Sequence, residues 1–150
     1  MTKGVSICVV VVYIGAWLVL SIDQPWVLGT NNTLLNSFVD GQFLGFMGVV
    51  VTITLASAAN IHIELNKIET SVGTRIFIKT RQKVKLSAFS LIWALTASIV
   101  ILVCKPFMSA SAVGASLANG AALLVVLICI LILVDLTKLA FNIEPVDLPD

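Results

Sequence analysis

This sequence has little to offer catalysis or metal binding: one histidine, three cysteines and eight carboxylates. His62 has Glu64 two residues on, which falls on a different face of a helix, and Asn66 four on, which shares its face. No second His or Cys stands at ligand spacing from it. That pattern fits an interfacial histidine hydrogen-bonded to a neighbouring helix, with pH sensing as the sharper alternative. Asp135 is the acid closest to an apolar interior, and ionisable groups in membranes are functional candidates by default. Lys138, three residues on, offers it a helix-end ion pair instead, and the basic segment described below is another partner. An intramembrane aspartyl protease needs two such acids, and there is one. Cys8, Cys104 and Cys129 lie in or beside apolar runs without CxxC spacing, as small reduced hydrophobes do. The expectation is a non-enzymatic chain with no catalytic residue, metal or cofactor.

The elements that must carry these residues are unusually apolar. The hydrophobic fraction is 59%, charged residues are 11%, and mean hydropathy is +1.08. A soluble domain carries roughly 25% charged residues, so this chain cannot clothe a water-facing surface. Four segments, 5–22, 41–59, 86–103 and 117–134, contain no Asp, Glu, Lys, Arg or Pro. At 1.5 Å per residue each spans about 27–29 Å, close to the ~30 Å of a hydrocarbon core. The β-branched run at 9–12 would favour a strand in water. In lipid every backbone polar group must be satisfied within the segment, so helix wins. Lys3 ahead of the first segment has the form of a signal peptide, but the apolar stretch is too long and no clean cleavage site follows. It reads as a retained helix. The predicted fold is all-α: a polytopic four-helix membrane bundle forming one domain, with spans at 5–22, 41–59, 86–103 and 117–136.

Charge sets the orientation. Lys3, Lys67, Arg75, Lys79, Arg81, Lys83, Lys85 and Lys138 fall on one side of the four segments, and only Lys105 on the other. The basic side is cytoplasmic by the positive-inside rule, which puts both ends of the chain inside. Two short loops lie outside, the second running from Lys105-Pro106 to Ser116. Between the second and third segments, Ile61, Leu65, Ile68, Val72 and Ile76 recur at helical spacing. The second helix is therefore expected to run on to about 72, with Gly73 at its C-terminus and Thr74 capping a third helix over about 75–104. The result is a helical hairpin projecting ~15–20 Å into the cytoplasm. One arm carries Glu64 and Glu69, the other Arg75, Lys79, Arg81, Lys83 and Lys85. This basic arm suits anionic lipid headgroups or a soluble cytoplasmic protein. No recognition motif points to nucleic acid. Residues 142–150 (NIEPVDLPD) read as an acidic extended tail.

The second segment also carries a stripe of small residues: Gly41, Gly45, Gly48, Thr52, Ala56 and Ala59. Small residues let helix backbones approach closely in lipid. The stripe either packs the centre of one bundle or forms a self-association face or pore lining, with hydroxyls from Thr52, Thr54 and Ser57. The fourth segment, nearly pure Leu, Ile and Val from 123 to 134, looks lipid-facing by contrast.

The four-helix plan with its charged hairpin (HIELNKIET…RIFIKTRQKVK) resembles the small membrane proteins of bacterial anti-phage systems, such as the membrane subunit of Kiwa. That resemblance implies a homo-oligomer in the bacterial inner membrane that senses or disturbs the bilayer during infection and acts with a soluble partner. Two other readings remain: a small channel or holin-like pore, and a chain similar to the immunity proteins of pore-forming colicins. The topology itself makes a test. Reporters fused near residue 80 should be active only as cytoplasmic fusions, and those near 30 only as external ones; the reverse pattern would refute the orientation.

Overall fold

A computed structural model describes residues 3–73 and 77–141, and every element in it is helical. Helix α1 is Lys3–Asp23, and α2 is the single turn Pro25–Leu28, with Pro25 at its first position, where a missing N–H costs nothing. Helix α3 (Thr33–Ser37) is capped by Asn32, whose side chain accepts the Leu35 N–H at 3.0 Å. A π turn, Phe38–Gln42, joins α3 to α4 (Phe43–Val72). Helix α5 is Ile78–Met108 and α6 is Ala112–Phe141. Four helical stretches are long and apolar enough to cross a membrane: Gly4–Asp23, Thr33–Ser71, Ile78–Met108 and Ala112–Phe141.

The long helices outrun the apolar segments that define them. The 30 residues of α4 and the 31 of α5 give about 45 Å each. At one end, α5 continues through Lys105-Pro106 to Met108, so the loop to α6 is only residues 109–111, far shorter than the 105–116 expected. Pro106 lacks the N–H that would meet Leu102 O, yet the helix runs on for two more residues and Lys105 O receives the Ser109 N–H at 2.8 Å. At the other end α4 stops at Gly73, which adopts the left-handed conformation (φ 69°) that ends helices. The cap expected from Thr74 lies outside the described residues, as does the 142–150 tail.

α4 and α5 run antiparallel, and α6 packs against both. Phe43, Met47 and Val51 from α4, Leu91 and Ala94 from α5, and Ala122, Val125 and Cys129 from α6 make the main core. A smaller cluster, Ala58, Val84 and Leu136, continues it toward the far end of α4. Within the run 123–134 that reads as lipid-facing only Val125 and Cys129 are buried, yet the fourth helix as a whole is not peripheral. α6 is the most enclosed of the four and touches α1, α2, α4 and α5. The reason lies in its first half, where Ala115, Ser116, Ala118, Asn119, Gly120 and Ala122 are all buried. Short side chains there let neighbouring helices come close, and the Leu/Ile/Val run beyond 123 had drawn attention away from them.

Helix α1 is the most exposed and reaches the rest by specific contacts with α6. Tyr13 donates its hydroxyl to Gly120 O at 2.9 Å, and Ser21 and Ser116 share a hydrogen bond at 3.0 Å. The Trp17 indole occupies the space that a side chain at Gly120 would fill. Gly120→Ala should therefore force the α1–α6 contact apart and cost about 1–3 kcal/mol, read as a lower melting temperature in detergent. Trp17→Ala in the same chain should remove most of that penalty, whereas additive losses would show that the two do not meet.

Candidate functional site

Polar groups gather at two ends of the α4–α5 pair. The first cluster forms where the π turn meets the end of α5. A π turn inserts an extra residue into the helical ladder and often re-aims side chains at functional sites. Here it buries Val39 and sets Asp40 opposite Lys105. The Lys105 ammonium, its side chain only 6% exposed, pairs with Asp40 and donates to Asn36 Oδ1 at 3.0 Å. A hollow of about 350 Å³ opens beside it, bounded also by Thr30 and Ser109. Separately, Asn119 is fully buried and donates to Leu28 O at 2.8 Å, which locks α2 onto α6. Sequence reasoning missed this cluster. The signal for it was the single Lys on its side of the four segments and an acid at the start of the second one.

The second cluster closes the opposite end. Glu69, 8% exposed, accepts the backbone N–H of Phe77 at 2.8 Å and pairs with Arg81 at 2.6 Å. A carboxylate at the start of α5 suits the unpaired N–H groups and positive dipole end there. Arg81 also donates to Asn66. Glu64 pairs instead with Lys67 on its own helix, both exposed, and such a pair contributes little.

The other residues singled out from sequence separate into distinct faces. Gly41, Gly45, Thr52, Ala56 and Ala59 are exposed and Gly48 is half-buried. A side chain at any of the three glycines would meet nothing within 4 Å. The stripe therefore does not pack the centre of this bundle; Phe43, Met47, Val51, Thr54 and Ala58 of the same helix do. Thr52 and Ser57 donate to Gly48 O and Ile53 O, one turn back on their own helix. Lys79, Lys83 and Lys85 are exposed, Arg81 is half-buried, and Arg75 lies outside the described residues. His62 and Asp135 are both exposed, on α4 and α6. No group of His, Cys, Asp and Glu among the described residues is arranged to hold a metal.

These features define a class: among the described residues every element is helical and four helices are able to span a membrane, the arrangement of a multi-pass membrane protein. Comparison with known proteins takes the assignment no further, since no family model, no curated protein and no solved structure matches the chain.

The first cluster predicts an asymmetry between its two charges. Asp40, 52% exposed, can be rehydrated when its partner is lost, but Lys105 cannot. Asp40→Ala should cost roughly 2–3 kcal/mol, below the ~3–5 of a fully buried pair because Asp40 is half exposed. Lys105→Met should cost clearly less. Thermal unfolding of both variants in detergent measures the order, and the opposite order would contradict the burial assigned to Lys105.

Proposed function

We propose that this chain is a non-enzymatic, self-associating subunit of the bacterial inner membrane that couples the bilayer to a soluble cytoplasmic partner. Its ends and its basic α4–α5 turn face the cytoplasm, following the eight-to-one distribution of Lys and Arg. The observation that carries the reading is the outward face of α4. Gly45 and Gly48 stand beside open space on a helix whose other face already packs the monomer. In lipid, apolar bulk gives no drive for helices to associate, and close backbone contact does. A second copy of this chain is the natural neighbour for such a face. The in-helix bonding of the Thr52 and Ser57 hydroxyls fits packed protein better than the lining of a water-filled pore.

The coupling side of the proposal rests on the far end of α4 and α5. At about 45 Å, these helices exceed the ~30 Å hydrocarbon thickness. The excess forms a short charged hairpin, held by Glu69 and Arg81, that displays Lys79 and Lys83. The resemblance to membrane subunits of anti-phage systems gives the narrower role: a subunit engaged during infection together with its soluble partner.

Gly45→Leu is the decisive variant. It should convert the oligomer to monomer in detergent, measured by light scattering, without lowering the monomer's melting temperature. An oligomer that survives the change would remove the α4 face from the proposal. The defence role has its own readout. Phage plating on bacteria carrying the chain with its partner should fall relative to bacteria lacking it, and Gly45→Leu should restore plating.

A further inference from the structure

A groove between α4 and α5 is left over once the core and the two polar clusters are assigned. Its volume is about 570 Å³, within the ~300–1,000 Å³ range of small-molecule sites. Its walls change character along the helices. Leu55, Ala59 and Ala88 line one end; His62, Arg81 and Lys85 line the other. The change coincides with the boundary of the apolar segments. Positions 55 and 59 lie within 41–59 and position 88 within 86–103, whereas 62, 81 and 85 fall just beyond them. Among the described residues that line the groove none is an acid.

The polar end has donors to spare. Arg81 commits one terminal nitrogen to Glu69 and Asn66 and still presents its guanidinium to the groove. The Lys85 ammonium sits 6.0 Å from the centre of the Phe89 ring, one turn nearer the apolar segment. That cation–π contact holds the charge at the boundary. An occupant must therefore be apolar at one end and anionic at the other, with its charge at the level where the apolar segments stop. A soluble acidic peptide meets the second requirement and not the first.

We propose that the groove binds one anionic phospholipid from the basic-side leaflet. Its phosphate meets His62, Arg81 and Lys85, and an acyl chain runs along Leu55, Ala59 and Ala88. The proposal rests on the reading of α4 and α5 as membrane-spanning helices that extend past the bilayer. It differs from general attraction of headgroups to the basic arm, because Lys79 and Lys83 do not line the groove.

Native mass spectrometry of the full chain released from detergent tests this, with phosphatidylglycerol, phosphatidylcholine and glycerol phosphate as probes. One phosphatidylglycerol per chain should be retained in preference to phosphatidylcholine. Lys85→Gln should reduce that preference about 5-fold, the effect of ~1 kcal/mol per charge at a membrane surface. Lys83→Gln should leave it unchanged. Ala59→Leu, which fills the apolar end, should reduce retention of both lipids while the melting temperature holds. Equal retention of the two lipids would overturn the proposal, as would equal losses in Lys83→Gln and Lys85→Gln. Competition by glycerol phosphate as effective as that by whole lipid would reduce the site to an anion pocket. Failure of the membrane reading would look different: the chain would stay monodisperse in buffer without detergent.

Discussion

The arrangement of this protein depends on how closely backbones can approach along α6. When nearly every helix surface is apolar, hydrophobicity alone cannot tell one face from another. The choice falls to shape, and shape is set where side chains are shortest. Ala115, Ser116, Ala118, Asn119, Gly120 and Ala122 form a trough on α6. Trp17 fills part of it and Tyr13 hydrogen-bonds into it. α1 makes no comparable contact with α4 or α5. The helix that a hydropathy reading assigns to lipid is thus the axis of the bundle.

Polar contacts then fix what close packing permits. Those that tie α4 to α5 sit at the ends of the helices, where an apolar fold would otherwise slide. The Lys105–Asp40 pair with Asn36 ties the π turn to the end of α5. Glu69 binds the start of α5 through both its backbone and Arg81. Asn119 holds the α2 turn by its carbonyl. Between these ends, buried hydroxyls such as Thr54 and Ser98 bond to their own helices at Val50 O and Ala94 O. They satisfy burial without linking one helix to another. With registry fixed at both ends, α4 keeps its small-residue face and the groove toward α5 unused by the monomer. Those are the two surfaces on which the functional proposals stand.

Four long apolar helices, the end of α4 at Gly73 and the clustering of basic charge were legible from the order of residues, because each depends on local composition. An apolar run of sufficient length must satisfy its own backbone, and a glycine after a helical stripe relieves the left-handed turn. Acids on α4 and bases on α5 were legible as well, though not that Glu69 and Arg81 would be the pair. Which face of α4 turns inward was not. Phe43, Met47 and Val51 recur at helical spacing as regularly as Gly41, Gly45 and Gly48 do. Two interleaved stripes on one helix carry no mark of which meets the bundle.

Element type and charge asymmetry are properties of neighbouring residues, and the sequence by itself determined them. The neighbours of α6, the burial of Lys105 beside a π turn, and the exposure of the glycine face were decided only by the tertiary structure. Each requires residues far apart in the chain to compete for the same space. Lys105 meets Asp40 across 65 positions, and Tyr13 meets Gly120 across 107. No local pattern encodes such a meeting, since it depends on the volumes of side chains contributed by a different helix.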